Sequence, residues 1–297
     1  MAFSPTSAIP MATATPSRPT NPRDVQVAMV AKHTQVLRSR TWERLKFEVE
    51  YAQQKGTTAN CYLIQADRTG LIDPPGESFT EIFLQELCKQ VPLQQLDDII
   101  LNHVNPNRMA TLKALMDIAP QVRIVCSKPA VRAIQSAFPE WEDQWSQAFQ
   151  VVRDGDRLDL GQGHTLQFFS VKTPRWPDGL CTYDAKTQIL FSDKFYGMHV
   201  CGDEILDEQW QDLDGGVPNG MASRQRRYYF DCLHAPQVRQ VDLALQKLDR
   251  VTSRIIAPGH GPLVQYHVSQ VRRDYRQWCQ AQAKQRFRVA VLYASAY

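Results

Sequence analysis

A chain of 297 residues with 43% hydrophobic side chains can bury a substantial core, and α/β folds of about 250 residues as one unit are common. A net charge of +3 with scattered basic residues gives no footprint for a nucleic-acid partner, and no apolar run approaches the roughly 20 residues of a membrane span. Seven cysteines, none in a Cys-x-x-Cys pair and several inside apolar runs, read as reduced thiols in a cytoplasmic setting.

The first 20 residues are rich in Ser, Thr, Pro and Ala and contain no acid. A plastid-type transit peptide shares that composition, but with one Arg in so short a stretch a disordered tail over residues 1–30 is the better reading. Residues 45–51 alternate apolar and polar side chains as a half-buried strand does. Two strands follow at 60–66 and 70–73, joined around Asp67-Arg68. Ser78 is placed to cap a helix running to about Lys89, with Glu81 as its capping-box partner. Next come strand 98–101, helix 109–118, strand 122–126 and a helix over 129–137 opened by Pro129.

The second half is strand-rich, with strands at 149–152, 164–170, 180–184 and 188–192. It closes with a helix near 237–248, a strand at 254–257 and a helix near 269–284. Periodicity alone supports a mixed α/β chain, and two strand-rich halves that each end in helix–strand units fit a four-layer αββα sandwich. Residues 31–285 form this unit. Residues 286–297 read as the first strand and small-residue loop of a flavodoxin-like domain that is incomplete. A phosphate cradle needs the helix that follows such a loop, so FMN has no seat on this chain alone.

The loop LNHVNPNR at 101–108 lies between a buried strand and a helix, with polar side chains at every second residue. Metallo-β-lactamase folds hold a binuclear metal site at such a turn, in loops of the type His-x-His-x-Asp-His or His-x-Glu-x-Asp-His. Several other residues carry plain structural expectations. Arg224-Gln225-Arg226-Arg227 reads as a solvated loop, and His164 as a surface residue. His199 and His234 read as hydrogen-bonded structural histidines, while His33 and His267 carry no signal. Gly76, Gly161 and Gly163 read as turn glycines. No dinucleotide fingerprint and no Ser-His-Asp arrangement stands out.

Eight segments in order carry a resemblance: LRSRTW (37–42), GTTANCYLIQ (56–65), LIDPPGESF (71–79), LNHVNPNR (101–108), RWPDGLCTYD (175–184), LFSDKFYGMHVCGDE (190–204), RRYYFDCLHAP (226–236) and IIAPGHGP (255–262). Over residues 24–297 the chain resembles the flavodiiron proteins, in the photosynthetic branch found in cyanobacteria. The resemblance implies a metallo-β-lactamase-like domain joined to a flavodoxin domain, and electrons passing from NAD(P)H through flavin to a diiron site that reduces oxygen to water. It also implies a head-to-tail dimer in which one subunit's flavin faces the other's metal site. Trp176 is then placed to contact the partner's flavin, with core packing as the equal alternative.

The matched ligand positions are largely substituted. The loop histidine is His103, but the Glu position is Asn105, the Asp position is Asn107 and the second histidine is Arg108. The histidine before Trp-Pro-Asp is Arg175, the bridging Asp is Lys194, and the last histidine is His260. Asp193 is one residue too early, and strand alternation turns it to the opposite face.

A divalent ion about 4 Å from one such cation is repelled by about 8 kcal/mol at an effective dielectric near 20. Two imidazoles cannot offset several such terms. Neither diiron nor tight zinc is therefore expected. Arg108, Arg175 and Lys194 instead form an anion-attracting cluster, or pair with acids such as Asp178 and Asp193 and fill the space.

Three functions follow. The first is a redox component that acts as a homodimer or in a hetero-oligomer with a ligand-complete paralogue. The second is a non-catalytic scaffold or anion-binding domain. A zinc hydrolase is the weakest, because it needs a metal to lower the pKa of its water.

Overall fold

The computed structural model describes residues 23–43, 56–139, 148–210 and 221–284. The expected strand at 45–51 and the flavodoxin-like start at 286–297 lie outside the described residues. Two sheets face each other, with helices on both outer sides.

The first sheet runs in chain order: β1 (Arg23–Ala31), β2 (Thr34–Thr41), β3 (Thr57–Gln65), β4 (Thr69–Ile72), β5 (Asp98–Ile100), β6 (Arg123–Cys126) and β7 (Phe149–Val151). β1 to β4 pair antiparallel and β4 to β7 pair parallel. The second sheet contains β8 (Arg157–Gly161), β9 (His164–Ser170), β10 (Leu180–Asp184), β11 (Ile189–Asp193) and β12 (Ile255–Pro258), with only the last pair parallel.

The strands next to the parallel crossovers are short apolar runs buried on both faces, as parallel strands between layers must be. Helices α1 (Thr80–Gln90), α2 (Met109–Ile118) and α3 (Lys128–Ala137) cover the first sheet through Phe83, Leu87, Leu112, Leu115 and Ile134. Helices α4 (Met221–Leu233), α5 (Val238–Leu248) and α6 (Val268–Lys284) cover the second through Phe230, Val241, Leu245 and Tyr275. Between the sheets, Tyr62, Ile64, Ile100 and Val125 meet Leu160, Leu166, Phe168 and Phe191. This is the αββα sandwich expected from the order of elements.

Four expectations change. Residues 23–30, assigned to the tail, belong to β1. Val25 and Val27 pack on the outer core, Ala28 and Val30 on the inter-sheet core, so the strand is half-buried on both faces and shows no clean alternation.

Ser78 does not cap α1. A 3₁₀ turn over Glu77–Phe79 leads into the helix without a side-chain cap, and the Ser78 carbonyl accepts from Arg23 Nη1 at 2.9 Å.

The Arg224–Arg227 cluster is helical, not a loop. Arg226 is buried and donates to the Tyr196 carbonyl at 3.1 Å, while Arg227 pairs with Asp231 one turn on.

His164 is fully buried, not a surface residue, because its imidazole pairs with buried Asp184.

Candidate functional site at the ends of the parallel strands

The loop after β5 leaves the sheet where the parallel strands end, the usual position for a site in such folds. Asn105 closes its turn. The Asn105 side chain accepts from the Asn107 amide at 3.2 Å, and Pro106 opens a 3₁₀ turn that leads directly into α2. Gly76 permits the close approach of Asn107, since a Cβ there would meet Asn107 Nδ2 at 3.0 Å.

Arg108 is buried at the centre of the site. Its Nη2 donates to Asp193 Oδ1 at 2.9 Å, and Nη1 reaches Asp73 Oδ1 at 3.4 Å and the His103 carbonyl at 3.2 Å. Asp193 thus faces the site, contrary to the expectation from strand alternation. A bulge between Phe191 and Asp193 and a φ of 41° at Asp193 rotate its side chain inward. Gly259 leaves room for it, because a Cβ there would lie 2.8 Å from Asp193 Oδ1.

Asp73 was not foreseen. It follows β4 at a φ of 54° and accepts from the Asn102 amide at 2.9 Å and from Asn102 Nδ2 at 2.7 Å. An acid at the end of a buried strand, ahead of Pro-Pro, was the available signal.

The electrostatics follow from this grouping. Burial and the charge of Asp193 raise the Asp73 carboxyl to about 7, against the opposing pull of Arg108 and Asn102. Burial also acts to raise Asp193, but Lys194 and Arg108 outweigh it and hold Asp193 below the usual carboxylate range. Burial disfavours the Arg108 cation, but Asp193 and Asp73 more than compensate and raise its pKa.

The retained histidines are otherwise engaged. His103 Nδ1 lies 2.9 Å from Asp178 Oδ1, and Asp178 Oδ2 also accepts from the Val104 amide at 2.7 Å. His260 Nδ1 donates to the Thr58 carbonyl at 2.6 Å, which leaves Nε2 as an acceptor 3.4 Å from Lys194 Nζ. Burial, Lys194 and then His199 push the His260 pKa well below its ordinary value. His199 stacks on His260 with ring centres 4.5 Å apart and bonds Thr57 Oγ1 at 2.7 Å, and burial pushes it down to about 3. Buried His234 donates from Nε2 to the Lys194 carbonyl at 2.9 Å, and burial pushes it down to about 4.

Arg108 and Lys194 come together, but Arg175 does not join them. Its backbone amide donates to Gln237 Oε1 and its exposed guanidinium lies over the Trp176 indole, 5.6 Å from the ring centre. Trp176 packs with Tyr229 and Leu233, edge-on to His103 and His234, and is only 8% exposed. Thr58, Asn105, Asn107, Arg108, Lys194 and His260 line a cleft whose free space, as swept by the centre of a water molecule, is about 30 Å³. That is enough for a water molecule or a small anion.

This donor set does not fit a diiron centre. A guanidinium lies between the two carboxylates, an ammonium faces His260, and His103 is bonded to Asp178. Among the described residues, no three His, Cys, Asp or Glu side chains form a group that could hold a metal.

Comparisons with known proteins match this architecture. Residues 57–261 match the ODP family beta-lactamase model. Diflavin flavoprotein A 4 of Synechocystis is 57% identical over 93% of this chain and 44% of its own length, and the Nostoc protein of the same name is 57% identical over 97% and 47%. The chain thus spans about half the length of the curated relatives it matches. Among solved structures, a metal-soaked flavodiiron core from Synechocystis has a TM-score of 0.80 at 47% identity, covering 89% of this chain and 63% of that one. A fragment of diflavin flavoprotein A 5 from Nostoc has a TM-score of 0.79 at 45% identity, covering 89% and 98%. The chain belongs to the ODP family of β-lactamase-like domains, in the branch of the cyanobacterial diflavin flavoproteins.

Proposed function

We propose that this chain is the β-lactamase-like part of a flavodiiron-type oxidoreductase in which electrons pass from NAD(P)H through FMN towards oxygen, and that its own site works without metal. The observation that carries the reading is the position of Arg108, whose fixed positive charge joins Asp73 to Asp193 where a metal would need carboxylate ligands. A permanent cation there opposes any second one.

Oxygen chemistry then belongs to a ligand-complete paralogue in a hetero-oligomer, and this subunit contributes dimer surface and flavin-delivered electrons. No disulfide joins cysteines among the described residues, which suits a reducing cytoplasm, and no helix among the described residues is long and apolar enough to cross a membrane. The test combines two measurements. Metal analysis of the purified protein should find iron far below one atom per chain. NAD(P)H-driven oxygen uptake should appear only when the ligand-complete paralogue is added. Stoichiometric iron that is lost on His103→Ala, or full oxidase activity of the isolated protein, would overturn the proposal.

The cleft supports a second reading, a non-catalytic anion-binding domain. Arg108 and Lys194 line it, while Arg175 sits apart over Trp176. Anion binding lost on Lys194→Ala with the oligomer intact would favour this reading, and no binding would sink it. A zinc hydrolase gains nothing from this geometry, because two cations border the place where a metal-activated water would form.

A further inference from the structure

At the other end of the sandwich, where the β1–β2, β8–β9 and β10–β11 turns gather, two imidazoles meet away from the cleft around Arg108 and Lys194. His164 opens β9 and is fully buried, with Nδ1 2.8 Å from Oδ2 of the equally buried Asp184. Asp184 acts as an acceptor throughout: Thr187 Oγ1 donates to Oδ2 at 2.6 Å and the Lys186 amide to Oδ1 at 3.1 Å. The hydrogen of His164 therefore sits on Nδ1, and Nε2 presents a lone pair. That Nε2 is buried and has no hydrogen-bond partner. The ring of His33, in the β1–β2 turn at a φ of 62°, has its centre 5.5 Å away at an interplanar angle of 43°. Its Nδ1 is likewise buried without a partner. Two such nitrogens on adjacent rings need an explanation, since buried polar atoms are normally satisfied.

We propose that His33 and His164 form a two-imidazole site for one late first-row divalent cation, with Zn²⁺ as the probe and Asp184 as the carboxylate that orients His164. A carboxylate behind an imidazole whose far nitrogen is open is the arrangement that fixes tautomer and ring direction in metal-bound histidines. Two imidazoles sharing one tetrahedral ion, each nitrogen at about 2.0–2.1 Å, have ring centres roughly 5–5.5 Å apart, which the observed separation matches.

Asp184 supplies a negative charge at His164, while at His33 burial and the Lys186 and Lys32 charges lower the pKa against Asp67, and the Lys186 ammonium donates to the Gln162 carbonyl. Water completes the coordination, since no third His, Cys, Asp or Glu among the described residues joins the group. The half-buried turn that carries His33 gives the ion its entry path.

The test is a calorimetric titration of Zn²⁺ into the metal-stripped 297-residue chain, repeated with Co²⁺ as an absorbance probe of its ligands. Saturable binding of one ion per chain is expected, weakened at least tenfold in His33→Asn and in His164→Gln and unchanged in His103→Gln and His260→Gln. Asn tolerates the left-handed backbone at position 33, so that variant decides the matter even if His164→Gln fails to fold. No saturable one-to-one binding, or wild-type affinity in His33→Asn, overturns the proposal. Loss confined to His103→Gln or His260→Gln also overturns it, by placing the ion in the cleft.

Discussion

At the ends of the parallel strands a guanidinium sits between two buried carboxylates, whereas at the hairpin end an imidazole backs onto one carboxylate and leaves its far nitrogen open. Both arrangements remove ionisable groups from water, and they differ in what they can still accept. Arg108 carries a charge that no accessible pH removes, so its surroundings are committed to that one cation. His164 has its geometry set by Asp184 and its Nε2 without a hydrogen-bond partner, so that nitrogen is still open to a ligand. The same fold therefore holds a closed site at one end and an open one at the other.

The largest expected effect comes from removing the fixed cation. Arg108→Leu leaves Asp73 and Asp193 facing each other in the core, and should cost about 3–5 kcal/mol in a urea unfolding titration. Adding Asp193→Asn should recover part of the loss, because one uncompensated charge is gone. A loss below about 1 kcal/mol in the single variant would show that the ion group does not hold this end together.

Acid should weaken the same end next. Above pH 6.5 His199 and His234 are neutral in both folded and unfolded chains and contribute nothing. Below it the unfolded chain takes up protons that the folded chain refuses until about pH 4 for His234 and about 3 for His199, so stability falls as pH falls. Asp73 acts in the opposite sense. Its folded pKa near 7 exceeds the unfolded 3.8, so it destabilises increasingly as pH rises between those values. At 1.36 kcal/mol per unit, His199 and His234 outweigh the one carboxyl by about 3 kcal/mol from pH 6.5 to 4, and buried His260, lowered in the same sense, adds to that loss. In Asp73→Asn the curve should steepen, since the opposing contribution is gone. An unchanged slope would mean that Asp73 is not protonated in the folded chain at neutral pH.

How much of this could be read from the sequence varied by region. β9, β10 and α2 appear with the expected bounds because their apolar residues are dense and their ends carry turn residues. β2 was hidden by its composition: Arg38 and Arg40 look like surface residues, yet both are buried, and Arg40 is neutralised by Asp24 and Asp203. β8 shows alternating exposed and buried residues, but it is short and lies between turns. At the site, the identities of Arg108 and Lys194 announced a cationic centre, while their partners depended on backbone geometry that no periodicity reports. A left-handed residue brings in Asp193 and another brings in Asp73, and the loop of Arg175 carries it elsewhere. At the hairpin end the pairing of His164 with Asp184 joins residues 20 apart across two strands, so each looked unremarkable alone.

The smallest effect belongs to the hairpin end and tests whether its carboxylate is a positioning group rather than a structural charge. Asp184→Asn keeps the shape and an acceptor for His164 Nδ1–H, but weakens the bonds from Thr187 and the Lys186 amide, so the thermal unfolding cost should be about 1–3 kcal/mol. The readout that a merely structural role would not move is the tautomer. In the wild type the imidazole ¹⁵N shifts should report hydrogen on Nδ1, and in Asp184→Asn they should report a mixture of both tautomers. If the variant keeps the single Nδ1–H form, the orientation of His164 is set by packing around the ring, and the contrast between a closed and an open end rests on sterics rather than on charge.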